Sequence, residues 1–249
     1  MGSNSFSRLV KSFACVCDWL RNAMPCVLRS WLRSQLTKVN VLRKGLKYAP
    51  ILGYVDIDGW LSIDEAIEIY DLAQSLPIDG PVVVEIGSWL GKSSLVLAKG
   101  LIGKHSARLF CIDPFNADGD PPSALAYRRR MSSLDELLLE RFVGNMRRNR
   151  VLCMIEILQG YSYEFAESFS RKIDLLFIDG NHDYDAVLKD FNDWSSLVKH
   201  GGFIVFHDVV DREGVDGPWR AVQEKIVDNP EWKDCRFAGL LFSARKTLE

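Results

Sequence analysis

Short apolar runs alternate with helix-forming stretches from residue 81 nearly to the end of the chain, and this alternation constrains the fold more than any other feature. Residues 81–86, 108–112, 151–158, 173–178 and 203–206 read as strands, and 236–242 as a final one. Residues 93–101, 184–198 and 218–227 read as helices. Strands that are apolar on both faces need cover on both faces, and strands separated by helices pair in parallel. The expectation is therefore an α/β fold with a mostly parallel sheet. A further helix opens at Ser62, where Ser62 and Glu65 have capping-box spacing, and Pro77 stops it. There is no internal repeat.

The 249 residues suit one α/β domain with an N-terminal extension. We place the boundary so that 1–58 is the extension and 59–249 the α/β domain. The net charge of -2 hides an asymmetry. Residues 1–50 hold nine Lys or Arg and one acid, Asp18, a charge of +8, so the remainder carries -10. An acidic body is a poor partner for nucleic acid. Six cysteines (Cys15, Cys17, Cys26, Cys111, Cys153 and Cys235) form no paired zinc pattern. They read as reduced, in a cytoplasmic protein. No apolar stretch reaches the ~18 residues of a membrane span. Asp18 and Arg21 interrupt the short apolar run near the start, which argues against a signal peptide.

Within the extension, Phe6, Leu9, Val10, Phe13, Val16, Cys17 and Leu20 recur at helical spacing. After Pro25 the pattern resumes with Val27, Leu28, Trp31, Leu32, Leu36 and Val39. Two readings are open. One is a basic amphipathic segment in peripheral contact with an anionic membrane, with Cys15 and Cys17 as lipidation sites. The other is a helix packed on its own domain, over the active site, or on a second copy of the chain as a homodimer. Myristoylation is not expected, because Phe6 stands where Ser or Thr is required.

The most informative stretch is Glu85-Ile86-Gly87-Ser88-Trp89-Leu90-Gly91-Lys92-Ser93-Ser94. Gly87 and Gly91 allow a tight turn after a strand, and Ser93 and Ser94 open a helix whose amides face a crevice. The middle glycine of a dinucleotide fingerprint is absent. The two glycines are also one residue too close for a Walker loop, although Lys92-Ser93 resembles its ending; a P-loop-like nucleotide enzyme is the weakest alternative. Asp113 ends the next strand, where an acid can accept from both hydroxyls of a ribose. Gly160 and Ser162 follow the third strand, either holding an adenine or merely turning the chain into a helix capped by Ser162. Residues 114–131 break the rhythm with Asp118-Gly119-Asp120-Pro121-Pro122 and then Arg128-Arg129-Arg130. This insertion lies at the ligand edge of the sheet and reads as a lid or substrate loop, or as a plain surface loop.

The loop at 85–93, Asp113, the run Ile178-Asp179-Gly180-Asn181-His182-Asp183-Tyr184 and the run Gly201-Gly202 to His207-Asp208 together resemble the class I S-adenosylmethionine (SAM) dependent methyltransferases. Within them they resemble the small-molecule and sugar O-methyltransferases and the cephalosporin-hydroxylase-like proteins. The resemblance covers residues 59–242. It implies a Rossmann-like class I methyltransferase fold with a mostly parallel seven-stranded sheet, helices on both faces, and a helical extension at the N-terminus. It implies methyl transfer from SAM to a hydroxyl oxygen of a small molecule or sugar. Glu85, Gly87, Ser88, Gly91 and Ser93 would hold the methionine part of SAM, Asp113 the ribose, and Gly160 and Ser162 the adenine, with Asp179 beside them. Asp179, His207 and Asp208 would bind a divalent metal, Mg or Mn. His207 departs from the usual acidic member of that pair, and imidazole tolerates Mn, Fe or Zn more readily than Mg. His182, three residues after Asp179, would be the general base; the alternative is that it fixes the loop. Two rivals remain: a hydroxylase-like enzyme on the same scaffold, and a non-catalytic SAM-binding or membrane-associated protein.

Overall fold

The computed structural model describes residues 25–120, 125–127 and 137–247. The expectations for residues 1–24, and those for Arg128, Arg129 and Arg130, lie outside these residues. The chain forms two compact units, Met1–Ala49 and Pro50–Glu249. The first contains helix α1 (Cys26–Lys44). The division falls before the expected 58/59 boundary because Ile51, Tyr54 and Ile57 are buried. The Ile57 carbonyl also accepts from the Lys92 ammonium (2.8 Å), which ties this segment to the second unit.

The second unit is built on a seven-stranded sheet of order β3-β2-β1-β4-β5-β7-β6. The strands are β1 (Val82–Ile86), β2 (Arg108–Asp113), β3 (Ile155–Gln159), β4 (Ile173–Ile178), β5 (Val198–Phe206), β6 (Trp232–Ala238) and β7 (Leu241–Lys246). The pairs β1–β2, β2–β3, β1–β4 and β4–β5 are parallel; β7 runs antiparallel to both β5 and β6. The helices are α2 (Ile63–Ser75), α3 (Lys92–Gly100), α4 (Leu138–Arg148), α5 (Ser162–Ala166), α6 (Tyr184–Trp194) and α7 (Gly217–Lys225).

Side chains alternate along β1, so its residues serve two cores. Val82, Val84 and Ile86 join one core with Val187, Phe191 and Trp194 of α6 and Ala221 and Val222 of α7. Val83 and Glu85 face the other way, where the Ser94 hydroxyl of α3 reaches Glu85. All six residues of β4 are buried, as a central parallel strand requires.

Three local expectations are corrected, and one helix is added. The strand expected at 151–158 begins later, because residues Leu152–Met154 make a 3-10 turn first. The helix expected to reach 198 ends at Trp194 and passes through a 3-10 turn, Ser195–Leu197. The strand expected at 236–242 is a hairpin: β6 and β7 meet at Gly239, whose φ of +64° turns the chain between two strands of similar composition. Helix α4 was not anticipated, although Leu138, Phe142 and Met146 recur at four-residue spacing and all are buried.

Candidate active site

The strand order reverses between β1 and β4, so the connections from these neighbours leave in opposite directions and a crevice opens at their C-terminal ends. The chain leaves β1 through Gly87, with φ +89°. A β-carbon there would lie 2.1 Å from the Asp179 carbonyl, so no side chain fits between the turn and the end of β4. Asp179 N–H donates to Ile86 O (2.8 Å) across the same junction. The resulting cleft has a volume of about 370 Å³, in the range of small-molecule sites. Gly87, Ser88, Ser93, Asp113, Gly160 and Ser162 line it, and so do Asp179, His182, His207 and Asp208.

Asp113 ends β2 with both carboxylate oxygens held: Trp89 N–H donates to Oδ2 (2.8 Å) and Phe115 N–H to Oδ1 (2.6 Å). Burial pushes its pKa up, against these N–H donors. The Ser88 N–H also lowers it, and the carboxylate keeps acceptor capacity for a further donor. Ser162 donates its hydroxyl to Asp190, a buried cleft residue whose burial raises its pKa to about 6. The helix cap expected of Ser162 is instead made one residue earlier, where Tyr161 N–H donates to Glu164 (2.6 Å).

Two expected cofactor residues do not line the cleft. Glu85 lies on the opposite face of β1, fully buried, accepting from the hydroxyls of Ser88 (2.7 Å) and Ser94. It braces the loop onto α3 from beneath, and burial raises its pKa. Gly91 faces α4: with φ +85°, its β-carbon would lie 2.5 Å from Met146 Cε. Close helix packing, rather than approach to a ligand, requires glycine there.

At the other end of the cleft, six acid and imidazole side chains interlock. His182 Nδ1 is 2.9 Å from Asp120 Oδ2, and its Nε2 is 3.3 Å from Asp208 Oδ2 and 4.0 Å from Asp179 Oδ1. His207 Nδ1 is 3.0 Å from Asp179 Oδ1, and its Nε2 is 3.4 Å from Glu65 Oε2. Glu65 comes from the first turn of α2, where it also completes the capping box with Ser62 and accepts from Leu240 N–H (2.9 Å). Asp179, His182 and Asp208 each offer one donor atom within 4.8 Å of the others, a geometry that could hold a metal ion. The expected set had His207 in place of His182. Both nitrogens of His207 instead face carboxylates inside the fold, so it braces Asp179 rather than presenting a free donor.

These contacts set the charges. Burial alone would lower the pKa of His182, but Asp120 and Asp208 overcome it and push it up to about 10. His207 is likewise raised well above an ordinary histidine, burial being outweighed by Asp179 and Glu65. Glu65 is brought down to about 2, its burial offset by His207 and two backbone N–H donors. Asp208 is held far below the usual carboxylate range by the two histidines, against its burial. Burial raises Asp179. Four carboxyl groups (Glu65, Asp120, Asp179 and Asp208) thus surround two imidazoles. That imbalance suits a cation.

Trp89, Ala117 and Asp208 line the cleft with φ of 48°, 58° and 52°, left-handed values that cost non-glycine residues energy and cluster at working sites. The aromatic wall was not legible from spacing. Tyr127 stacks on Trp89 (centroids 4.4 Å), and Trp60 meets Tyr127 (5.5 Å) and Trp89 (6.5 Å), all lining the cleft. Sequence reasoning also missed Glu65, Asp120 and Asp190 as site residues. For Asp120 the signal was present: it lies in the insertion at the ligand edge, which lines the cleft through Pro114, Ala117, Asp118, Gly119 and Tyr127.

Comparison with known proteins bears on the family and the fold. The chain shares 31% identity over 110 residues with an uncharacterised protein, R132, of Acanthamoeba polyphaga mimivirus, 40% of this chain and 50% of that one. The chain thus spans about half the length of this curated relative. Among the solved structures that share the fold are two O-methyltransferases. The O-methyltransferase TomG of Streptomyces achromogenes, solved with SAM, is 17% identical with a TM-score of 0.55, over 76% of this chain and 82% of that one. The O-methyltransferase NovP is 16% identical with a TM-score of 0.57, over 75% and 81%. A family model described as a methyltransferase domain matches residues 84–209, half of the chain, running from β1 and its glycine turn to just past His207 and Asp208. With the seven-stranded sheet order and the cleft at its β1–β4 junction, that match makes this chain a member of the methyltransferase-domain family, with the class I fold.

Proposed function

We propose that the chain transfers a methyl group from SAM to a hydroxyl oxygen of a small molecule or sugar, assisted by a divalent cation. The observation that carries this reading is that one cleft joins two ends of different chemistry. At one end are the Gly87 turn and Asp113; at the other are Asp179, His182 and Asp208. The first end suits an adenosyl group: Asp113 has acceptor capacity for a ribose hydroxyl, and Gly160 to Tyr163 form the adjoining wall. When bound, SAM supplies an electrophilic methyl group and departs as S-adenosylhomocysteine. The solved relative TomG holds SAM, which supports the same assignment here.

The second end suits the acceptor. As the acceptor oxygen bonds to the methyl carbon and the carbon–sulfur bond breaks, its proton passes to His182 Nε2. Asp120 fixes that ring through Nδ1, so Nε2 faces Asp179 and Asp208. With a pKa near 10, His182 is already protonated at neutral pH and cannot accept. A divalent cation held by Asp179 and Asp208 would offset the surplus carboxylate charge, lower that pKa and ready the imidazole as a base. Asp179 and Asp208 offer such an ion carboxylate oxygens, donors that suit Mg and Mn alike, while His182 Nε2 is kept for the proton. Trp60, Trp89 and Tyr127 offer apolar ring faces on which an acceptor would pack.

Calorimetric titration with SAM and S-adenosylhomocysteine, with and without Mn and Mg, tests the reading. Micromolar binding is expected, weakened about tenfold or more by Asp113→Ala, which removes a charge-assisted pair of hydrogen bonds. Failure to bind either compound under all these conditions would refute it.

A further inference from the structure

Helix α1 has a surface that the methyltransferase chemistry does not use. Its nineteen residues contain no acid, and they include Arg29, Arg33, Lys38, Arg43 and Lys44. Several of its large apolar side chains are exposed, Val27 by 82%, Leu36 by 63%, Trp31 by 55% and Val39 by 52%, whereas Val41 is buried. At about 100° per residue, these four and Leu28 fall within roughly half of the helix circumference. Arg29, Arg33 and Lys44 lie on the other half or at its border, while Lys38 and Arg43 fall within the apolar half, where long stems let a cation reach the headgroups. Leu46, just past the helix end, is also exposed.

From this we infer that α1 docks the protein on the surface of an anionic lipid bilayer, lying in the interface with Trp31 and Leu36 inserted and its cations at the headgroups. Three observations favour lipid over other occupants. First, the helix has both an exposed apolar face and an unbroken positive charge. A lipid surface satisfies both, whereas a nucleic acid satisfies only the second. Second, two copies of α1 packed face to face would bring their flanking cations together, which disfavours a dimer through this stripe. Third, residues 1–50 carry +8 and the rest of the chain -10, so an anionic surface attracts the extension and repels the body. The contact is peripheral, since no helix among the described residues is long and apolar enough to cross a membrane.

The test is co-sedimentation of the full 249-residue chain with phosphatidylcholine vesicles, pure or containing about 30% phosphatidylserine, at low and high salt. Binding to the anionic vesicles is expected, at least tenfold over neutral ones and weakened by salt. Replacing Arg33 and Arg43 together by Ser should weaken it about thirtyfold. Trp31→Ser with Leu36→Ser should weaken it tenfold or more on the anionic vesicles even at low salt. Circular dichroism and thermal unfolding should be unchanged in both variants, since the substituted side chains are exposed. Equal partition onto both vesicle types, no partition, or binding indifferent to both variants would overturn the inference. So would a dimer, or a complex with RNA, that the same substitutions abolish while vesicle binding is absent.

Discussion

Asp190 allows a test whose sign runs against intuition: replacing a buried, hydrogen-bonded cleft residue should make the free protein more stable. Burial raises its pKa from 3.8 to about 6, and the Ser162 hydroxyl recovers only part of the cost. Because the folded state holds the proton more tightly than the unfolded chain, stability is undiminished below pH 3.8. It falls as the pH rises from 3.8 to about 6 and stays reduced above that. Above about pH 7 the ionised carboxylate costs the folded state about 3 kcal/mol. Asp190→Asn removes the charge and keeps an oxygen for Ser162. Urea unfolding should therefore show a gain approaching 3 kcal/mol near pH 8, shrinking to about 1 kcal/mol near pH 4.5, with an unchanged m-value. A neutral or destabilising effect at pH 8, or a gain independent of pH, would mean that burial does not control this carboxyl. Weakened SAM binding in the same variant would show that the strained charge is kept for a ligand.

Other perturbations address the cluster and the wall. Glu65→Gln leaves the capping oxygen but removes the negative charge beside His207. It should cost about 3 kcal/mol near pH 7. The cost should shrink as the pH falls from 4.5 towards 2, because a depressed acid contributes its stability above its unfolded value. Unfolding curves at several pH values decide this, and a loss constant down to pH 3 would exclude the ion pair as its source. In the proposed reaction, His182→Asn should lower kcat about a hundredfold or more while SAM still binds. Chelating the metal should shift the alkaline rise of activity in the intact protein towards pH 10, where the metal-free imidazole gives up its proton. Activity rising near pH 6 to 7 without metal would refute the role given to the carboxylates. Tyr127→Ala, which removes the ring stacked on Trp89, should raise the acceptor KM about tenfold with SAM affinity unchanged. An effect on SAM alone would move the aromatic wall to the cofactor.

The amino-acid sequence by itself determined the central sheet and the end of the cleft nearest β1. Strands 81–86 and 173–178 were legible because buried parallel strands are continuous apolar runs, and Gly87 and Asp113 because turns and strand ends leave fixed spacings. The β6–β7 hairpin merged into one strand because both arms carry similar residues and only the φ of Gly239 separates them. The division of labour within the site belonged to the tertiary structure. Glu85 and Gly91 sit in the motif, yet side-chain alternation turns Glu85 towards α3 and helix packing claims Gly91. His207 and His182 stood in sequence as ligand and base. Their positions in space gave both nitrogens of His207 to Asp179 and Glu65, and brought His182 beside Asp179 and Asp208. Glu65 read only as a helix cap, because its partner His207 lies 142 residues away. Periodicity reports which face of an element is apolar. Which charges meet across the fold depends on how the elements pack, and a single sequence carries no local signal for that.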